Sequence, residues 1–323
     1  MTTQQTALVL GANGGVGSEV ARQLMAAGWA VRALSRRPGG ANRGDGITWI
    51  QGDAMQTADV RDAAAGCPVI VHAVNPPGYR NWAGQVMPML ENTIAAAGST
   101  GALVVLPGTV YNYGPDAFPL AAADAPQHPT TRKGAIRVRM EQALAAYARA
   151  GGRAVVVRAG DFFGPRAGNS WFAQGLVKPG KAPRRIAQPG RRGIGHQWAY
   201  LPDVAATMVA LIQRRDTLPA FASYNMAGHW DASGDDMVRS IQRVAAKRGI
   251  TAKITAFPWW MMRLATPFNE TLRELMEVRY LWQRPVQLDN ATLVAALGSE
   301  PHTAWDDAVE RTLEGMGCLT PTR

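Results

Sequence analysis

Three glycines mark the end of an apolar run in Leu8-Val9-Leu10-Gly11-Ala12-Asn13-Gly14-Gly15-Val16-Gly17-Ser18. In this order a strand would turn sharply and open a helix. Gly11 permits the tight turn, Gly14 lets a pyrophosphate approach the backbone, and Gly17 lets the helix pack on the strand. Unpaired N–H groups at the helix start then face the phosphates. Asn13, Gly15 and Val16 complete the turn. The chemistry is the holding of a dinucleotide by its phosphates.

A second apolar run ends Ala33-Leu34-Ser35-Arg36-Arg37. A site that selects NAD places a carboxylate here to accept from the ribose hydroxyls. Two guanidiniums and a hydroxyl instead match a ribose 2′-phosphate through charge-assisted hydrogen bonds. The expected cofactor is therefore NADP(H) in preference to NAD(H), with a solvated strand end as the plainer reading of Arg36 and Arg37. After a third run comes Gly52-Asp53-Ala54, whose carboxylate could accept from the adenine amino group or simply shape a turn. After a fourth comes Val71-His72-Ala73-Val74-Asn75, where Ala73, Val74 and Asn75 would let the chain pass close to the cofactor. His72, inside an apolar strand, reads as a packed histidine more readily than as a catalytic one.

The elements that position these residues alternate along the first half of the chain. Ala7 to Leu10, Ala30 to Leu34, Thr48 to Gln51, Val69 to Ala73 and Leu103 to Leu106 read as strands, nearly all apolar, as parallel strands buried on both faces are. Ser18 to Ala27 and Val86 to Ala97 carry helical spacing between them. A helix from Ile136 to Ala150 leads through Gly151-Gly152 into a sixth strand, Arg153 to Arg158. The expected fold is α/β, a doubly wound parallel sheet (a Rossmann fold) with a smaller, mainly helical carboxy-terminal cap. Residues 1–165 with about 196–227 would form the dinucleotide-binding domain, and about 166–195 with 228–323 the cap. Gly164 to Gly195, rich in Gly, Pro and Arg, reads as an ordered loop region suited to a lid. Pro258-Trp259-Trp260-Met261-Met262 reads mainly as cap core, or as a surface for a homodimer or a bulky apolar substrate.

Composition narrows the classes. Of 323 residues, 47% are hydrophobic and 18% charged, which suits an ordinary folded protein. Cys67 and Cys318 stand alone and in no metal-ligand spacing, so neither a disulfide framework nor a metal site is expected. No apolar run approaches the ~20 residues of a bilayer span, and the short polar start carries no secretory signal. The expectation is a cytoplasmic protein without membrane insertion. The net charge of +10 is spread in pairs of Arg and Lys with no nucleic-acid-reading motif, so the expected partner is a small-molecule substrate and not nucleic acid.

These segments together resemble the extended branch of the short-chain dehydrogenase/reductase superfamily, which includes NAD-dependent epimerases, dehydratases and reductases. The resemblance rests on GANGGVG at Gly11–Gly17, the Gly52-Asp53 pair, the VxHxA stretch, Tyr113-Gly114, Arg158 through Gly164-Pro165, Tyr200 to Asp203, and the tail from Leu288 to Pro301. It implies that Pro107 and Gly108 border the cofactor, and that Gly160, Asp161 and Phe162 pass the nicotinamide. It also suggests Phe162 and Phe163 as an apolar wall, with Trp171, His196 and Trp198 near the substrate.

Members of that branch normally carry a Ser or Thr after the fifth strand and a Tyr-x-x-x-Lys pair at the start of the next helix. This chain has no such pair. Anchored on Glu141 and the Tyr-Gly pair, the resemblance puts Thr109 at the hydroxyl position, Lys133 at the tyrosine and Arg137 at the lysine. Arg137 can still donate to the ribose hydroxyls, but guanidinium is no acid near neutrality. Lys133 could supply the proton if burial and its cationic neighbours lower its pKa, and Tyr111 is the second candidate. The first functional reading is an NADP(H)-dependent oxidoreductase that reduces a carbonyl or similarly polarised group. The alternatives are an NADP(H) sensor resembling NmrA-like regulators, without turnover, and a nucleotide-sugar epimerase or dehydratase.

Overall fold

A computed structural model describes residues 4–37, 44–76, 81–168, 170–266 and 275–319. Its centre is a seven-stranded, wholly parallel sheet. The first five members are β1 (Thr6–Leu10), β2 (Ala30–Ser35), β3 (Thr48–Gln51), β4 (Val69–His72) and β5 (Leu103–Thr109). After the two-residue β6 (Leu120–Ala121), which lies outside the sheet, β7 (Arg153–Ala159) and β11 (Phe221–Asn225) complete it in the order β11-β7-β5-β4-β1-β2-β3. The chain winds outward from β1 to β3, then returns to the other side of β1 as β4. Two neighbouring strands thus lead their connections in opposite directions, which opens a crevice at their carboxyl ends.

Strand alternation sends side chains to two cores. Ala7 and Val9 join Val20 and Leu24 of α1 (Gly15–Ala26) and Val204 and Met208 of α5 (Leu201–Gln213). Leu8 and Leu10 face the opposite layer of α2 (Thr57–Ala64), α3 (Trp82–Thr100) and α4 (Arg132–Arg149). Burial on both faces explains why these strands are apolar throughout.

The cap is more broken. β8 (Asp161–Phe163), β10 (His196–Tyr200) and β12 (His229–Asp231) form a three-stranded sheet, and β9 (Arg185–Gln188) pairs with β13 (Lys253–Ala256). β14 (Gln287–Leu288) pairs with β6. Helices α6 (Asp236–Lys247) and α9 (Trp305–Gly315) pack on this part, with α7 (Trp259–Ala265) between them in sequence, whereas α8 (Ala291–Leu297) packs through Leu293 on the core of the central sheet. Phe163, Phe172, Trp198, Tyr200, Ile241 and Leu313 share the cap core.

Three features differ from the sequence reading. Phe221–Asn225 adds a seventh strand at one edge, interrupted by the polar Ser223 and Asn225. Gly164 to Gly195 contains β9, so it is partly a folded layer. The Trp-Met segment is not all core: Trp259 donates through Nε1 to Pro189 O at 2.8 Å, whereas Trp260, Met261 and Leu264 are exposed by 68%, 53% and 69%.

Candidate active site

The glycine turn has little freedom. Gly11 has φ +85°, and a Cβ there would lie 2.5 Å from Ala73 O; one on Gly17 would lie 2.2 Å from Gly11 O. Only glycine allows β4 and α1 to approach the turn this closely. A Cβ on Gly15 would meet Ala167 O at 2.9 Å, so the segment after β8 closes over the start of α1. Gly14, the residue before that helix, has only Gly11 O near its open side, at 3.3 Å. Asn13 Nδ2 donates to Ser35 Oγ at 3.2 Å, tying the turn to the end of β2, where Arg36 and Arg37 are exposed.

Asp53 is engaged in its own turn, accepting from the Met55 N–H at 3.0 Å, and Gly52 packs against Leu34 and Asp59. Val74 is half-buried against the α2–α3 layer. Asn75 accepts from Trp82 Nε1 at 2.7 Å. His72 is buried, and its Nδ1 meets Thr93 Oγ1 at 2.8 Å. That hydroxyl donates to Met89 O, so Nδ1 carries the imidazole proton. Burial first, and the charge of Arg137 second, push His72 down to about 3. It stays neutral at ordinary pH.

At the carboxyl ends of β5 and β7 the side chains form a buried polar network. Thr109 Oγ1 donates to Asn112 Oδ1 at 2.8 Å, and Asn112 Nδ2 donates to Glu141 Oε1 at 2.8 Å. Arg158 grips Glu141 from β7, with Nη2 to Oε2 at 2.6 Å and Nε to Oε1 at 3.0 Å. Arg158 Nη1 also donates to Tyr113 O–H at 2.7 Å and Ala123 O at 2.8 Å. Glu141 and Arg158, which sequence reasoning used only as markers of the resemblance, hold this end of the sheet together. Thr109 is fixed by the same network and is 7% exposed.

The first turn of α4 lies against this network. Thr131 accepts from the Gly134 N–H at 3.0 Å as its amino-terminal cap. A Cβ on Gly134 would meet Tyr111 O at 2.2 Å, so the helix start packs directly on the 110–112 turn. Glu277 accepts from the backbone N–H groups of Arg132 and Lys133, an acid placed where the helix leaves donors unpaired. Lys133 is 3% exposed. Arg137 reaches across the end of β5, donating to Pro107 O at 3.3 Å and lying 5.6 Å over the Trp82 ring. Gly108 packs on Arg158 and Val156.

Beyond β7 the structure assembles residues that the sequence separates. Asp161 Oδ2 lies 2.9 Å from His196 Nε2, and His196 stacks on Trp282 with centroids 3.6 Å apart. A small cavity is lined by Val110, Asp161, His196, Gln197, Leu281 and Val286. Tyr280 faces Tyr111, Asp161 and Glu277, and burial, aided by those three groups, raises its hydroxyl. Tyr280 and Glu277 carry no sequence signal, since they approach from the cap more than 100 residues later. Gly160 packs on Gln197 and Phe162 is half-buried against the sheet core. Phe163 and Trp198 are buried in the cap core. Trp171 packs edge-on against Phe257 and Trp282.

A crevice at the topological switch, a glycine turn on its first strand and a hydroxyl-bearing end on β5 define a dinucleotide-binding fold of the extended short-chain dehydrogenase/reductase superfamily. Residues 7–227 match the NAD dependent epimerase/dehydratase family, and the chain belongs to it. The family is one of NAD(P)-dependent enzymes. No curated protein sequence matches the chain significantly. Among solved structures, it is similar to UDP-glucose 4-epimerase from Brucella ovis in complex with NAD (16% identity, TM-score 0.75, covering 97% of this chain and 98% of that one). It is also similar to UDP-N-acetylglucosamine 4-epimerase from Bacillus cereus (14%, TM-score 0.73, 99% of each chain). A third is the NAD complex of UDP-glucose 4-epimerase from Thermus thermophilus (19%, TM-score 0.70, 97% and 99%). At such identities the likeness is one of fold. Among the described residues, no helix is long and apolar enough to cross a membrane.

Proposed function

We propose that this protein binds NADP(H) and uses it to reduce a carbonyl or similarly polarised group of a small molecule. The observation that carries the reading is the end of β2, where Ser35, held to the glycine turn through Asn13, precedes two exposed arginines and no acid. Positive charge there favours a 2′-phosphate. NADPH serves reductions in which the cofactor leaves oxidised, whereas an epimerase returns the hydride to its own substrate and needs no net reductant. The family position assigns Thr109 to the substrate oxygen, for which its hydroxyl proton would turn from Asn112 Oδ1, and assigns Arg137, held over Trp82, to the ribose in place of the family's lysine. For the proton, Lys133 and Tyr111 are the candidates that the family position and the neighbouring turn suggest. A small molecule in a cytoplasmic setting, and a homodimer through Trp260, Met261 and Leu264, complete the reading.

The epimerase reading keeps one specific support, the nucleotide-sugar epimerases among the similar structures. Incubation with NADPH and a panel of aldehydes and ketones separates the readings. Loss of reduced-nicotinamide absorbance with one equivalent of alcohol formed is the expected outcome. Tightly retained NAD, with interconversion of nucleotide sugars and no net consumption, would establish the epimerase instead. Binding of NADPH with no chemistry on either panel would leave a sensor.

A further inference from the structure

We propose that Asp203, His229 and His302 form a binding site for a divalent transition-metal ion of the zinc class. One carboxylate oxygen of Asp203 and one ring nitrogen of each histidine all lie within 4.8 Å of one another. Asp203 stands in the first turn of α5, His229 opens β12, and His302 lies between α8 and α9. The three are spread along the chain in no ligand spacing, so the sequence carries no sign of the site. They stand apart from the residues assigned to cofactor and substrate.

His229 decides the chemistry. Its Nε2 lies 2.8 Å from Thr303 O, and a carbonyl oxygen can only accept, so Nε2 carries the ring proton. The residue is 1% exposed, and burial disfavours a second proton, which leaves Nδ1 bare. That buried lone pair has no hydrogen-bond partner among the described residues. An acceptor left unmet away from water is costly, and a cation is the partner that a bare imidazole nitrogen and a carboxylate can share. Metal-binding histidines characteristically donate their other ring N–H to a backbone carbonyl or carboxylate, which fixes tautomer and orientation. Thr303 O does so here. Phe163 and Trp305 hold the ring edge-on, with centroids at 5.4 and 5.1 Å.

Asp203 is oriented by the same residue. Its Oδ2 accepts from the Thr303 N–H at 2.8 Å, and its Oδ1 from the Thr303 hydroxyl at 2.7 Å. A carboxylate offers about four acceptor positions, so each oxygen keeps a lone pair. Glu300 places further negative charge beside Asp203 while accepting from the Ala227 and Gly228 N–H groups at 2.8 and 2.7 Å. That charge favours a dication. His302 is exposed and stacks on His229 with centroids 4.5 Å apart. Ligands at about 2.0–2.1 Å from a tetrahedral zinc stand about 3.4 Å from one another, so rotation of this solvent-facing ring admits the ion and closes the set. Two imidazoles and a carboxylate suit Zn²⁺ and its neighbours, whereas Mg²⁺ and Ca²⁺ take oxygen shells. Water fills the remaining position, and the ion ties the start of α5, β12 and the segment before α9 together.

The test is a calorimetric titration of the full chain, freed of metal by chelator, with Zn²⁺. Wild type should bind one equivalent with micromolar or tighter affinity. His302→Ala removes only an exposed ring, and its affinity should fall by at least about 100-fold, the upper range for losing even an outer hydrogen-bond partner of a ligand. Saturating Zn²⁺ should raise the melting temperature of wild type and not of this variant. His128→Ala removes the competing surface pair, in which His128 Nδ1 lies 2.8 Å from Asp116 Oδ2, and should bind like wild type. In wild-type nitrogen-15 NMR, Zn²⁺ should shift the ring signals of His229 and His302 together and leave that of His128 in place. Zn²⁺ affinity of His302→Ala within about 3-fold of wild type overturns the site, as does loss of binding in His128→Ala or no binding by wild type below millimolar Zn²⁺. Unmoved His229 ring nitrogens at saturating Zn²⁺ overturn it even if the variant does not fold.

Discussion

The two ends of the cofactor crevice are built on different principles. At β1 the chain backbone determines the site: Gly11, Gly14 and Gly17 matter because of what a Cβ would strike, and their spacing in sequence is their spacing in space. At β5 and β7 side chains determine it. Thr109, Asn112, Glu141, Arg158, Asp161 and His196 come from six places along 88 residues and meet only in the folded chain. The binding end can be read from a heptapeptide, whereas the chemical end depends on how the cap docks.

The largest test of this contrast is Arg158→Met. It would leave the buried Glu141 without its cation, and breaking one partner of a buried pair costs about 3–5 kcal/mol. Urea unfolding should register that loss, while NADPH binding to the remaining folded fraction stays near wild type. Parallel loss of cofactor affinity in the folded protein would show that the two ends are not separable. Gly14→Ala is the converse. Its Cβ would sit tightly, 3.3 Å from Gly11 O, so the melting temperature should fall by only a few degrees while NADPH affinity falls about 10-fold or more, because the methyl occupies the pyrophosphate approach. Unchanged affinity would move the phosphates elsewhere.

A separate effect appears with pH. His72, behind the sheet ends, is pushed down to about 3, and His229, in the cap, to about 4, in each case chiefly by burial. Below the ordinary value of 6.5 the unfolded chain takes up protons that the folded chain refuses, so stability falls as pH falls. Each histidine contributes a slope of about 1.4 kcal/mol per pH unit until its own folded value is reached. His72→Asn should remove one such slope between about pH 6 and 4 in urea midpoints, and His229→Asn the other. A wild-type slope that neither variant changes would place the acid sensitivity outside both regions.

This contrast also explains what the sequence could disclose. The inner strands of the central sheet are legible because burial on both faces leaves them almost no polar residues, and the edge strand Thr48 to Gln51, half-buried at its centre, is also recovered with its observed bounds. Phe221–Asn225, at the other edge, is missed because Ser223 and Asn225 interrupt its short apolar pattern. Arg158 and Glu141 look like ordinary charged residues in the chain, and their burial becomes visible only when α4 and β7 are packed together. His196 reads as a loop residue near the substrate until β10 sets it against Asp161 of β8. Tyr280 offers no pattern at all, since the cap segment that carries it has no fixed distance from Tyr111 in sequence.

Selection of a 2′-phosphate by the end of β2, proposed above, has one direct test. The most direct measurement is the affinity of the purified protein for NADPH and NADH, followed by nicotinamide fluorescence, in the wild type and in Arg36→Ala. The account predicts at least about 10-fold tighter binding of NADPH by the wild type and loss of most of that preference in the variant, consistent with removal of a charge-assisted contact. Equal affinity for the two cofactors, unchanged by Arg36→Ala, would contradict it.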